Sequence, residues 1–473
     1  MKSILVLICF ISISFGFSKY LNAQALSTIL PKHQAYVATQ TPVFKWNELY
    51  TALNYKIILS QDPTFTTSVI QSPILLSSNW TSTVLNFGVW FWKVVATTPN
   101  GNETSDNYQI TIFDPSQVSN LSLWLKPEAG VVLDGFGKVQ SWIDQSPNAY
   151  SLNQATPSKR PSVEILSLNN LPSIGFSGAQ VLDGGDILDL GNSSRMMFVV
   201  GKITGVNQTL FAKANGASAP SRYALMRFGG QTTAIYQEGS DNHLFGTSVT
   251  TNFSIYSWEN DRNSSINKLF INSLFIGTKP IISNYNFQSN FRFLIGAFNG
   301  SNDVGEQFFL NGAINEIIFV NSNNALEKLD VQNYLRYKYA PPVNLGKDTT
   351  KNNFCPINLT APPGFTNLLW STGATTASIS ANQAGQYWVQ GTDIFGYVSR
   401  DTIQVNHPTI LSPSNTNICL NDTITWAPQL GSAFTYLWNN GATTPSLAIS
   451  AAGTYSVQVT DTSGCIKNSG NLN

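Results

Sequence analysis

The stretch from Gly312 to Tyr339, G-A-I-N-E-I-I-F-V-N-S-N-N-A-L-E-K-L-D-V-Q-N-Y-L-R-Y-K-Y, changes its hydrophobic period halfway along. Ile314 and the run Ile317-Ile318-Phe319-Val320 are short, apolar and β-branched, which predicts a strand. Leu326 and Leu329, then Val331, Tyr334 and Leu335, recur at helical spacing instead. Asn324 stands where a cap is needed, with Glu327 three residues on to reach back to the cap amide, and Pro341-Pro342 forbids continuation. No other segment makes a comparable helix. Elsewhere short apolar runs alternate with Gly, Pro and Asn clusters, so the chain is predicted to be all-β with one late helix.

Composition narrows the functional classes. Charged residues are 11% of the 473, against a norm of about 25%, and Lys+Arg equals Asp+Glu at 26 each. Such a neutral surface does not suggest nucleic acid or a polybasic membrane contact. Aromatic residues at 12% supply enough apolar area to offset the entropy of ordering. Residues 1–25 read as a signal peptide: Lys2, an apolar core from Ile4 to Phe17, and the small-residue site Ala23-Gln24-Ala25. No second apolar stretch approaches the ~20 residues of a membrane span, so the mature protein is expected to be exported, at the cell surface or extracellular, without membrane insertion.

Residues 121–146 contain L-W-L-K-P-E-A-G-V and, further on, W-I-D-Q-S. Together with Gly312, Ile314, Glu316, Leu326, Glu327, Val331, Tyr334, Leu335, Lys338 and Tyr339 these match both ends of a known pattern. Residues 117–341 thereby resemble the LamG-like, concanavalin A-like lectin jelly rolls of secreted bacterial proteins. The resemblance implies two stacked curved sheets closed by a strand and a helix. It is specific for fold and nearly silent about ligand, although such domains often hold a calcium ion.

Residues 26–116 resemble a fibronectin type III sandwich, with Pro42-x-Phe44-x-Trp46 on an early strand and Trp90-Phe91-Trp92 on a late one. Period-2 placement assigns these tryptophans to the core rather than to sugar stacking. The last third repeats itself. Leu369-Trp370-Ser371-Thr372-Gly373-Ala374-Thr375-Thr376 recurs as Leu437-Trp438-Asn439-Asn440-Gly441-Ala442-Thr443-Thr444, and Thr392-Asp393 recurs as Thr460-Asp461 at the same offset. Residues 342–408 and 409–473 are thus two copies of one small sandwich, each resembling the Ig-like repeats of large bacterial surface proteins. The whole is similar to surface proteins of the type IX secretion route.

Cys419 and Cys465 lie near the two ends of the second repeat and are expected to form a disulfide in an oxidising compartment. Cys355 is left over, because Tyr397 stands in the first repeat where Cys465 stands in the second.

No catalytic constellation emerges, and the chain is expected not to be an enzyme. There is no E-x-D-x-x-E strand, no H-E-x-x-H and no G-x-S-x-G, and the three histidines, His33, His243 and His407, fall in three different domains. The acidic cluster Asp183, Asp186 and Asp189 is the candidate calcium site, with Asn302-Asp303 a second. For a glycan or protein ligand the candidates are Tyr236, Tyr256 and Trp258, since sugar C–H faces stack on such rings. Ser254, Tyr256 and Trp258 alternate with Phe253 and Ile255, so one of the two sets must be core. The function expected from sequence is binding or adhesion through the jelly roll. A structural stalk and a non-catalytic accessory part of a secreted hydrolase are the alternatives.

Overall fold

The computed structural model describes residues 26–189, 193–214, 223–228, 232–236, 244–245, 251–281, 290–301, 304–413 and 422–473. It is an all-β protein of stacked, mostly antiparallel sheets, with one α-helix among the described residues, at Ala325–Tyr339.

At the N-terminus a three-stranded sheet (Thr28–Leu30, Val43–Trp46, Asn79–Thr81) faces a larger one centred on Gly88–Thr98 and Asn54–Ser60. Alternation along these strands sends Phe44, Trp46, Trp90 and Trp92 into one core, where Phe44 meets Trp92 edge-on at 4.7 Å. These tryptophans are core residues, as their spacing predicts.

The central body is a jelly roll of two large sheets. In one, Asn311–Val320 runs between Leu171–Ser177 and Arg195–Ile203, and the opening strand Leu121–Leu125 pairs with it, Trp124 opposite Ile318. The two ends of the module therefore close on one strand. The other sheet carries nine strands, with Phe293–Ile295 between Leu182–Asp183 and Gln208–Lys213.

Asn311–Val320 is apolar on both sides because both are covered. Ile314, Ile317 and Phe319 face the inter-sheet core; Ala313, Ile318 and Val320 face the helix. The helix buries Val331, Tyr334, Leu335 and Tyr339 against Trp124, Met196, Phe198 and Val200. Leu326 and Leu329, expected on that face, are exposed. Asn324 caps the helix as predicted, its Oδ1 accepting from Leu326 N at 2.9 Å. Glu327 does not return to the cap; it accepts from the backbone N–H and hydroxyl of Ser119, pinning the helix start to the chain that enters the jelly roll.

The helix is also the meeting point of three units. From the N-terminal sandwich, Tyr36 stacks on Tyr337 at 6.1 Å and donates to Asp330 at 2.7 Å, and Phe113 packs on Tyr334. From the first repeat, Phe395 enters the same core, and Tyr397 lies over Arg336 at 4.0 Å with its hydroxyl bonded to Ser273. A helix touched on three flanks has no need of one apolar stripe, which explains its mixed sequence.

The two repeats share their internal bonds as well as their sequence. Trp370 Nε1 donates to Thr376 O and Trp438 Nε1 to Thr444 O, both at 2.8 Å. Gly373 and Gly441 take left-handed φ of 83° and 88° in the turn that follows each tryptophan. The disulfide, however, is Cys355–Cys465, with Cα atoms 5.2 Å apart, and not Cys419–Cys465. Cys355 belongs to the first repeat by sequence but to the second by contact. Phe354 beside it is buried in the second repeat's core and donates its N–H to Asp461 Oδ2 at 2.6 Å. The bond therefore clamps repeat to repeat. Cys419 lies outside the described residues.

Candidate functional site

The residues that carry the jelly-roll signature converge on one buried carboxylate. Glu316 is fully buried and accepts from Trp124 Nε1 at 2.6 Å, Tyr334 OH at 2.9 Å, Lys338 Nζ at 2.7 Å and Tyr339 OH at 2.8 Å. Lys338 is held also by Glu128 at 2.8 Å. Burial pushes both tyrosines well above the ordinary phenol range, and the Glu316 charge adds to it. Burial works against the Lys338 ammonium, but Glu316 and Glu128 outweigh it and hold the group above its usual value. Four side-chain donors on one carboxylate leave no lone pair open to a substrate. The carboxylate is buried, and its partners are side chains rather than backbone amides. This cluster fastens the helix to the sheet.

The proposed calcium ligands are engaged by cations. Asp183 accepts from Arg292 at 3.0 Å and from Gly185 N at 2.8 Å, while Asp186 and Asp189 both pair with the buried Lys213 at 2.8 Å. All three carboxylates thus have cationic partners, and among the described residues they do not gather into a metal-ligating group. Asn302-Asp303 lies outside the described residues.

The aromatic candidates are also corrected. Tyr256 and Trp258 are each 1% exposed, in the inter-sheet core, and Trp258 Nε1 donates to Asn267 Oδ1 at 3.2 Å. Phe253 and Ile255 are buried as well, in the layer beneath the helix. Both sets are core because the helix covers the second face of this sheet. The Tyr236 side chain, like His243, lies outside the described residues.

A cleft of about 1000 Å³ opens where the three units meet. Its floor is the end of the helix, Tyr339-Ala340, and the Pro341-Pro342 step. The turn Asn169-Asn170, with φ of 49° and 59°, stands on one side; the N-terminal sandwich supplies Leu30 and Lys45. The first repeat closes it with Phe365, Asp393 and Ile394. The lining mixes amides (Asn170, Asn344), an ammonium (Lys45), a carboxylate and apolar side chains such as Phe365 and Ile394.

Asp393 is the most constrained group on that wall. Its Oδ1 accepts from Phe395 N at 2.9 Å and Tyr397 N at 3.0 Å. Its Oδ2 is buried without a hydrogen-bond partner among the described residues. Burial pushes the carboxyl up, more than those two N–H groups and the nearby Arg336 guanidinium pull it down. Sequence reasoning matched Thr392-Asp393 to Thr460-Asp461 and stopped there; the pair was legible, its place at a domain junction was not.

No family model and no curated protein matches the sequence. Solved structures similar to it include the carbohydrate-binding module of a Ruminococcus gnavus sialidase bound to α2,3-sialyllactose. That match has 13% identity and a TM-score of 0.28, over 33% of this chain and 94% of the module. Domain 4 of an extracellular arabinanase from Geobacillus stearothermophilus, in complex with arabinotriose, matches at 13% identity and TM-score 0.33, over 46% and 98%. The binding domain of botulinum neurotoxin serotype D matches at 10% identity and TM-score 0.33, over 72% and 85%.

Proposed function

We propose that this protein is an exported recognition protein that binds an extracellular glycan or protein ligand and performs no chemistry. The observation that carries this reading is the cleft, whose Asn170 and Asn344 amides, Lys45 ammonium and Phe365 ring suit hydroxyl or peptide groups above an apolar surface. Its position among three units places a ligand against all of them at once. The absence of chemistry is supported by where the carboxylates are spent: Glu316 on four donors, Glu306 on Lys159 and Arg292, Asp183 on Arg292. Export is supported by the Lys2 and Ile4–Phe17 segment and by a disulfide, which persists in oxidising compartments.

A structural stalk is the second reading, favoured by the covalent clamp Cys355–Cys465 and by inter-unit ion pairs such as Lys32–Asp401 at 2.6 Å. The two separate on a glycan array and an extracellular-protein panel probed with the full chain. Saturable binding weakened by Asn344→Ala supports recognition. A blank result on both favours the stalk, and release of products from a bound glycan would overturn the non-catalytic reading.

A further inference from the structure

The second repeat shows what the aspartate common to both copies is for. Asp461 Oδ1 accepts from Ser463 N at 2.8 Å and Cys465 N at 3.0 Å, two and four residues on. That leaves Oδ2 for a donor from outside the repeat, the N–H of Phe354. The Phe354 ring then lies 5.4 Å from the ring of Phe434.

The first repeat builds the same device. Asp393 Oδ1 accepts from the residues two and four on, so its Oδ2 is turned as in Asp461. The counterpart of Phe434 is Phe365, one position out of the simple sequence offset because the strand Thr366–Trp370 carries a bulge. Two bonds fix that register. Thr366 pairs with Thr392 and donates to its carbonyl at 3.3 Å; Thr435 pairs with Thr460 and donates to its carbonyl at 3.4 Å. Both Phe365 and Asp393 line the cleft.

We propose that the cleft receives an extended polypeptide segment of a partner protein. A main-chain N–H of that segment donates to Asp393 Oδ2, which the incoming segment must uncover by shifting the side chains that bury it, and the bulky apolar side chain of the same residue packs on Phe365, as Phe354 does one repeat later. The segment's charge-assisted hydrogen bond relieves a buried carboxylate oxygen that otherwise has none. This rests on the cleft being the ligand site, and it names the ligand class. Tyr397 fits the same scheme. Where the second repeat uses Cys465 to lock onto its predecessor, the first uses Tyr397 on Arg336 and Ser273, which docks the repeat while leaving its acceptor for another chain.

The test uses the full oxidised chain and a synthetic peptide of residues 351–358 with serine in place of Cys355, its cognate site in the second repeat being already filled and covalently closed. Saturable binding is expected by fluorescence anisotropy. It should fall about 10- to 100-fold when the peptide's phenylalanine is N-methylated, when that residue is alanine, and on Asp393→Asn or Phe365→Ala in the protein. The N-methyl peptide needs no protein variant, so a misfolded Asp393→Asn chain leaves the proposal exposed to refutation. Unchanged affinity of the N-methyl peptide, or no binding at millimolar peptide to a folded chain, overturns it. A glycan that binds and is lost on Asn344→Ala, without peptide binding, overturns this inference and leaves the recognition reading standing. Silence toward both overturns both.

Discussion

Replacing Glu316 by glutamine tests whether the jelly-roll signature is structural. The carboxylate takes Trp124 Nε1 and Tyr334 OH on Oε1, and Lys338 Nζ and Tyr339 OH on Oε2, with no solvent exposure. Glutamine keeps the shape but replaces two acceptor lone pairs with an NH₂. It turns a donor toward either the Lys338–Tyr339 side or the Trp124–Tyr334 side. Hydrogen bonds to a charged group contribute roughly 1.5–3 kcal/mol each, and breaking a buried ion pair costs about 3–5 kcal/mol. Because Lys338 retains Glu128 at 2.8 Å, the lower part of that range, about 3 kcal/mol, is the expected loss. A multi-unit chain does not unfold in one step, so the readout is local. Hydrogen exchange of the helix amides, residues 325–339, is expected to quicken by about 100-fold, while the second repeat's amides stay unchanged. Lys338→Met should cost a similar amount by stranding the carboxylate. In a double-mutant cycle the two changes together should cost clearly less than their sum. Helix exchange within about threefold of the parent for Glu316→Gln would refute the reasoning and reopen Glu316 as a functional acid.

Peptide mapping of the non-reduced chain should recover Cys355 linked to Cys465, and Cys355→Ser should lose up to roughly 4–5 kcal/mol of chain-entropy stabilisation for a closed loop of 110 residues; a Cys419–Cys465 peptide would contradict it. Trp258→Ala should destabilise the jelly roll by about 3–5 kcal/mol, read as a lowered urea midpoint, and a ligand lost at unchanged stability would return Trp258 to the surface. Tyr36 is pushed up to about 12 by burial and by its bond to Asp330. A raised folded pKa means stability that is complete below about pH 10 and lost as pH rises from there toward 12, so Tyr36→Phe should flatten the alkaline loss seen in a pH series of urea midpoints. Asp393 is likewise raised, so its ionised form destabilises the fold; the parent should gain stability relative to Asp393→Asn as pH falls through the carboxylate range, and no change in that difference would refute it.

Much of the architecture was open to inspection in the chain itself. Strand and helix periods, the Asn324 cap and the Pro341-Pro342 stop are local signals, and the residues that carry them act on neighbours a few positions away. Asn272-Ser273 is such a case: a hairpin turn forms there, with φ of 53° and 62°. The repeat was legible too, because duplicated sequence makes duplicated bonds. What the chain concealed were choices between partners far apart in sequence. Tyr256 and Trp258 alternate as a half-exposed strand would, yet the helix seals the other face, so neither set reaches solvent. That Lys213 and Arg292 come from elsewhere in the chain to pair with Asp183, Asp186 and Asp189 was equally hidden.

By itself, the sequence determined that this is an all-β chain with one strong helix signal and a tandem repeat, because each follows from the order of side chains along a few residues, while the jelly roll was implied by the resemblance of both ends of residues 117–341 to a known pattern. Only the tertiary structure decided that Cys355 reaches across to Cys465, and that Asp393 and Phe365 stand on the wall of a cleft shared by three units. Those outcomes depend on how separately folded faces dock, and docking is set by surfaces assembled from segments hundreds of residues apart, such as Tyr36, Arg336 and Tyr397.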